Sequence, residues 1–349
     1  MSKFESIHIQ GFRRLVDVKL ELRPLMVMIG ANGCGKTSLL EAWRVLAKSA
    51  EGKLSDTISS LGGISELLTR TRTSDKTEST RLVFGLQLID PAQDYHLEIS
   101  DFGFGYGITG ERLNEEPLNG GSLDETVLSD SKSDDVRQLR RVISSTFFAR
   151  PFDLAQVRRP HSMQPSRLPG EQGEALVSCL YSLRETDRDR YEVVEDTLRA
   201  AFPDFERLEF PPVAAGMLVM AWKDRQFTQP IYMNQFSEGT LRFLWLTALL
   251  LSRDLPAVTL IDEPEVSLHP QLLMLLVDLM REASMRTQLI VATQSDRLIR
   301  FLKPEEVLVA DVEEGAAKFT WGDDLDLDHW LKDFTLDQLW TMGVLGGRS

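Results

Sequence analysis

Leu25-Met26-Val27-Met28-Ile29-Gly30-Ala31-Asn32-Gly33-Cys34-Gly35-Lys36-Thr37-Ser38 is the stretch on which the fold turns. Its first five residues form an unbroken apolar run, which reads as a strand buried on both faces. A glycine, four residues and Gly-Lys-Thr follow, the spacing of a P-loop, in which backbone N–H groups curl around phosphate oxygens at a helix start. The helix is legible too, because Leu39, Leu40, Trp43, Val45 and Leu46 give it one face to bury. Gly30, Asn32, Gly33, Cys34, Gly35, Lys36, Thr37 and Ser38 are therefore the candidate cradle of a nucleoside triphosphate. Lys36 is placed to reach the β- and γ-phosphates, and Thr37 to offer its hydroxyl to Mg2+. Cys34 reads as a small residue that fits the loop rather than as an oxidant sensor.

Further along, the apolar run Val258-Thr259-Leu260-Ile261 delivers Asp262 and Glu263 to a sheet edge, where α/β folds place their ligands. Asp262 is the candidate metal residue, holding Mg2+ through water. Glu263 is the candidate catalytic base, since orienting and deprotonating the attacking water needs a carboxylate near the γ-phosphate.

Asn234-Gln235-Phe236-Ser237-Glu238-Gly239-Thr240 precedes an apolar helix and resembles the signature of ABC ATPases, with Glu238 and Thr240 replacing more usual residues. In that family the segment reaches the nucleotide of the opposite subunit. The resemblance implies that Ser237 and Gly239 bind ATP and that two copies form an ATP-sandwiched, head-to-tail dimer. A plain helix N-cap at Ser237 is the alternative. Glu265-Val266-Ser267-Leu268-His269-Pro270 looks like the D-loop that crosses such an interface. Ala292-Thr293-Gln294-Ser295 falls where the family places a switch histidine, which makes Gln294 a catalytic candidate. Glutamine can donate a hydrogen bond to phosphate or water but cannot become a cation, so turnover is expected to be slow or differently tuned.

The whole chain resembles the stand-alone ABC ATPases related to RecF, SMC and OLD proteins, many of which serve DNA repair or phage defence. The points of contact are Ile9-Gln10-Gly11-Phe12-Arg13, Ser237-Glu238-Gly239, and Asp-Glu-Pro-Glu running on to Leu268-His269-Pro270. The closing Phe334 to Trp340 segment, with Gly343 and Gly346-Gly347, is a fourth. Lys36 and Ser237 stand about 200 residues apart, farther than in transporter nucleotide domains, so a transport motor is the weaker ABC reading. OLD nucleases carry a metal-dependent domain after the ATPase. Here Asp323, Asp324, Asp326 and Asp328 crowd together, but the residues after about Ala310 are too few for such a domain and read as a solvated acidic loop.

The fold expected is α/β: a P-loop ABC-ATPase core with a mixed or parallel central sheet, an antiparallel β subdomain and an inserted helical lobe. One head spans 1–349, with the nucleotide core in 1–50 and 230–312, the antiparallel subdomain in 81–111, the helical insertion in 132–202 and a tail in 313–349. Phe4 to Gln10 and Val16 to Leu22 alternate as two strands of a meander. Asn114 to Asp135 reads as a surface loop, and Glu171 to Phe202 as two helices broken near Thr186 to Arg190 and ended by Pro203. Short strands return at Arg207 to Phe210 and Met217 to Trp222, and a helix runs from about Pro270 to Ala283.

Composition narrows the function classes. A net charge of −14 disfavours bulk nucleic-acid binding, which needs a basic surface. Between Lys132 and Arg167, however, eight Lys and Arg face three Asp, a segment that is a DNA groove, a docking face for an acidic partner, or an ordinary solvated helix. Cys34 and Cys179 lack paired spacing, so disulfides and thiolate metal sites are not expected. No apolar run is long enough for a membrane span, and Leu244 to Leu251, bounded by Arg242 and Arg253, reads as a buried helix. The N-terminus lacks a secretory core, so a cytoplasmic address follows. These features lead to an ATPase with ATP and Mg2+ as cofactors, acting as a homodimer or higher assembly. It would switch a repair or anti-phage complex through a separately encoded effector or nuclease, with DNA as a possible partner and no membrane. The alternative is a slow-hydrolysing, nucleotide-gated scaffold that holds or releases an effector.

Overall fold

Apolar residues alternate along Phe4–Phe12, and Phe4, Ile7 and Ile9 are buried while their neighbours face outward. The computed structural model describes residues 4–70, 80–120, 122–214, 216–327 and 329–346; Asp328 and Gly347 lie outside the described residues. Two compact units divide the chain: Met1–Thr146, Pro256–Leu260 and Gln288–Ser349 make the first, Phe147–Leu255 and Ile261–Thr287 the second.

In the first unit an antiparallel sheet runs in the order Leu15–Glu21, Phe4–Phe12, Arg81–Ile89, Ala92–Asp101, Tyr106–Leu113, Glu116–Pro117. Its register sets Val18, Ile9, Phe84 and Leu97 in one row of cross-strand partners. All four are buried, the side-chain ladder that stabilises such a sheet. The next residue in that row is Glu111, opposite Leu97, because the register slips between Glu98 and Ile99. Its buried carboxylate accepts hydrogen bonds from the Tyr95 hydroxyl at 2.9 Å and from the N–H groups of Val127 and Leu128 at 2.6 and 2.9 Å. Burial pushes the Glu111 carboxyl above its ordinary value, against those donors, which pull it down. The expected Asn114 to Asp135 surface loop is thereby corrected in part. Thr126 and Leu128 are buried, and Val127–Asp130 is a helical turn captured by this carboxylate.

The central sheet follows the order Ala316–Trp321, Val307–Glu313, Leu25–Ile29, Gln288–Thr293, Val258–Asp262, Thr146–Ala149. It is mixed: Leu25–Ile29 is parallel to both Gln288–Thr293 and Val307–Glu313, while Ala316–Trp321 is antiparallel to its neighbour. Leu25–Ile29 and Gln288–Thr293 are buried throughout, as expected in a covered sheet for the apolar run Leu25–Ile29 and for the apolar Leu289–Ala292 within the second strand. The helix Lys36–Ala50 buries Leu39, Leu40, Trp43, Val45 and Leu46, and Trp43 meets Phe4 edge to face at 5.1 Å.

Gln288 joins the two sheets. Its Nε2 donates to the Phe4 carbonyl at 2.7 Å, and its Oε1 accepts from the Phe4 N–H at 2.7 Å, so the side chain imitates a strand partner. Gln288→Leu leaves both backbone groups of buried Phe4 without this partner and is expected to lower unfolding free energy by about 2–4 kcal/mol. Urea denaturation reads the change; a loss under about 0.5 kcal/mol would contradict this role.

In the second unit Leu176–Thr186 and Arg188–Ala201 are separate helices. Asp187 between them accepts from the Arg190 N–H at 3.2 Å, which places the break where Thr186 to Arg190 was expected to make it. The helix Glu238–Leu250 buries almost every side chain, including Leu244 to Leu250. Its C-terminal carbonyls are capped by two guanidinium groups, Arg286 on Leu250 and Arg190 on Leu251, each at 2.6 Å. Its Phe243 meets Phe202 edge to face, and Trp222 joins Phe202, Phe205 and Phe236 in the same edge-to-face manner. The expected strand Met217 to Trp222 is two: Met217–Leu218 pairs with Pro212–Ala214 and His161–Ser162, whereas Ala221–Asp224 pairs with Phe205–Glu209 and Ile231–Tyr232. The break falls where the Val219 N–H turns to the Pro211 carbonyl at 3.1 Å.

Of the eight cations between Lys132 and Arg167, five are bonded within their own unit. Arg137 pairs with Asp134, Arg140 with the Ser129 carbonyl, Arg150 with Glu171, Arg158 with the Phe236 carbonyl and Arg167 with Asp254. No helix among the described residues is long and apolar enough to cross a membrane.

Candidate functional site

Strand register places the loop in the first unit. Ile29 stands opposite Thr293 on one side and Val309 on the other, so Gly30 and Gln294 leave neighbouring strand ends. A Cβ on Gly30 would sit 2.2 Å from the Ala310 carbonyl oxygen and 2.6 Å from Cys34 Sγ, so only glycine lets the strand pass into the loop. Gly35, at φ 107°, is the N-cap of Lys36–Ala50. Asn32, Gly33, Thr37 and Gln294 are exposed, Ser38 is half-buried and Cys34 is buried.

The Lys36 ammonium folds back over its own loop. It donates to the carbonyls of Gly30 and Ala31 at 2.6 and 2.9 Å and approaches Cys34 Sγ at 3.5 Å. Its donors hold the loop in the curled form that an anion requires, and a phosphate oxygen can replace one of these carbonyls. In the first unit the exposed Thr37 hydroxyl, in the first turn of the helix, is an oxygen donor of the kind Mg2+ takes; in the second unit the carboxylate of Asp262, last residue of its strand, is another. Among the described residues no three His, Cys, Asp or Glu side chains cluster as a metal cage. Oxygen donors of this kind suit a hard cation that keeps several waters and leans on substrate phosphate.

In the second unit the Ser237 turn, the carboxylate residues and the segment after them form one cluster. Ser237 Oγ accepts from the Thr240 N–H at 3.0 Å and caps Glu238–Leu250, the plain role open to it from sequence. Ser237 and Glu238 are exposed at this helix start, where the backbone carries partial positive charge. Gly239 lies against the Ser267 carbonyl so closely that a Cβ would sit 2.2 Å from it, and Ser267 Oγ donates to Glu238 at 2.9 Å. His269 Nδ1 accepts from the Gln271 N–H at 3.4 Å and opens the turn that leads into Leu273–Ser284. Glu263 has φ 49°, a left-handed conformation that a non-glycine residue keeps only where its surroundings hold it.

Sequence reasoning used Arg242 only as the flank of an apolar run. The guanidinium is buried, and its Nη2 donates to the Glu263 carbonyl at 2.6 Å. Burial pushes its pKa down, while the carboxylates of Glu265, Glu238, Glu263 and Asp262 pull it up. The available signal was the charge itself, a cation five residues after Ser237 in an otherwise apolar helix.

A glycine-rich loop between a buried parallel strand and a helix, on a mixed sheet and closed by Gly-Lys-Thr, defines the P-loop class of nucleotide-binding folds. Within it, the chain belongs to the family described as "AAA domain, putative AbiEii toxin, Type IV TA system", which matches residues 25–300. No curated protein matches the sequence. Among solved structures the chain is similar to the Smc head bound to the C-winged helix domain of ScpA, at 15% identity and TM-score 0.65, covering 95% of this chain and 99% of that one. It is also similar to the Pyrococcus furiosus Smc head with an extended coiled coil bound to the C-terminal domain of ScpA, at 13% identity, TM-score 0.60 and 98% coverage of each chain. The Thermotoga maritima SMC head domain matches at 10% identity and TM-score 0.54, over 91% of this chain and 98% of that one. The fold is that of these SMC heads.

Proposed function

We propose that the chain binds Mg2+ and ATP at the Gly30–Ser38 loop and hydrolyses the nucleotide, each site being completed by the Ser237 turn of a second copy. The observation that carries this reading is the loop: a curled backbone at a helix start, a buried lysine folded over it, and exposed Asn32, Gly33 and Thr37 at its mouth. Lys36 binds the β/γ-phosphates, and Glu263 takes the proton of the attacking water as its oxygen bonds to γ-phosphorus and the bond to ADP breaks. Mg2+, held by Thr37 and through water by Asp262, would neutralise charge on the phosphate oxygens. Ser237 and the N–H groups after it face the other copy's γ-phosphate, and the dimer that forms is the switch.

The same reading places the switch in a DNA-linked repair or anti-phage complex in the cytoplasm, working through a separately encoded effector or nuclease. Smc heads that carry a ScpA domain support a protein partner on this fold. Five internally bonded cations between Lys132 and Arg167 weigh against an extended DNA groove there. Calorimetry with Mg2+ and ATP, together with phosphate release by the purified protein, tests the assignment. Saturable binding and turnover are expected, and protein that takes up no ATP at millimolar concentration would overturn it.

Gln294 favours a second reading, a scaffold that holds ATP and barely cleaves it, because an amide cannot carry positive charge to the transition state. Under the ATPase reading Gln294→Ala is expected to lower kcat roughly 10-fold or more at unchanged nucleotide affinity, the scale of losing one donor at a developing charge. Single-turnover phosphate release separates the two: prompt release without a partner rules out the scaffold.

A further inference from the structure

We infer that Arg242 is a positioning residue that ties the Ser237 turn to the Glu263 backbone, so that a phosphate drawn onto the turn is felt at the carboxylate. Its consequence for turnover rests on the ATPase reading above; the mechanical link does not.

Three observations carry the inference. Arg242 is the only charged side chain among the buried residues of Glu238–Leu250, and it lies one turn beyond Glu238 on the same helix face. A buried cation is costly where an apolar side chain of similar volume would pack as well, so this guanidinium is not explained by packing. Its Nη2 bond at 2.6 Å goes to a main-chain oxygen, the carbonyl of Glu263, and not to the side chain of that residue. Anchoring that carbonyl fixes the peptide plane after Glu263 and holds the residue at its φ of 49°.

The third observation is the absence of slack. Beside the Arg242 bond, Gly239 abuts the Ser267 carbonyl and Ser267 Oγ donates to Glu238, so helix start and carboxylate loop touch at both ends of the Glu263–Ser267 segment. A shift of the helix start as it closes on an anion must therefore move the Glu263 peptide, through a guanidinium with little room to swing. Lysine at 242 could reach the same carbonyl with one donor but without the planar fork.

The test uses Arg242→Ala and Arg242→Lys in the full chain, with two readouts. Hydrogen exchange without nucleotide is expected to speed up several-fold at the amides of Glu265–Leu268 in Arg242→Ala, with Lys36–Ala50 unchanged and Arg242→Lys intermediate. Unchanged exchange at Glu265–Leu268 overturns the link whatever the activity. In turnover, Arg242→Ala is expected to lower kcat at least 10-fold with ATP affinity within about threefold, Arg242→Lys to recover part of it, and Arg242→Ala to cost nothing further in a Glu263→Gln background. An equal loss in that background overturns the positioning role. Faster loop exchange in a protein whose wild type releases no phosphate would keep the link and remove the ATPase reading instead. If Arg242→Ala does not fold, Arg242→Lys alone decides by the same exchange and kcat measurements.

Discussion

Lys36→Ala is expected to weaken binding of Mg2+ and ATP on the order of 100-fold, the scale of removing one charged partner from a desolvated ion contact. Lys36 is the buried cation of the loop, and it bonds two of the loop carbonyls. Alanine removes both the charge that meets the phosphates and the contacts that keep Gly30 and Ala31 curled. The helix itself should persist, since its stability comes from Leu39, Leu40, Trp43 and Leu46, and alanine favours helix. Calorimetric titration reads the affinity, and a thermal midpoint near that of wild type confirms an intact fold. A dissociation constant within threefold of wild type would remove Lys36 from the site.

Glu263→Gln is expected to separate binding from chemistry, with kcat falling roughly 10²–10⁴-fold, the contribution of a positioned general base. Nucleotide affinity should stay within about threefold. The substitution keeps size and shape and removes only proton-accepting capacity. It also leaves the Arg242 bond intact, because that bond is made to the main-chain carbonyl. Phosphate release against ATP concentration gives both quantities. Full turnover in this variant would move the base elsewhere, and a parallel loss of affinity would make Glu263 a binding residue.

What could be read from residues alone follows a physical line. Leu25–Ile29 announced itself because a strand covered on both faces is apolar throughout. Lys36–Ala50 and Glu238–Leu250 did so by spacing and by length. The residues that escaped are polar groups turned inward. Gln288 carries no local signal, yet it completes hydrogen bonds of a residue 284 positions away. Glu111 sits on the buried face through a register slip between Glu98 and Ile99 that its own stretch of sequence does not show. Arg242 looked like the end of a hydrophobic run, and its partner carbonyl belongs to a segment 21 residues on. Each depends on a pairing that only the folded chain defines, so no local pattern carries it. The split of Met217 to Trp222 has the same origin, since one apolar run serves two sheets.

Light scattering of Glu263→Gln, with and without Mg2+ and ATP, decides whether two copies complete one nucleotide site. The mass should double with ATP, stay that of one chain with ADP, and stay that of one chain with ATP when Ser237→Arg is added. A single-chain mass at saturating ATP, with calorimetry showing the nucleotide bound, would contradict a shared site.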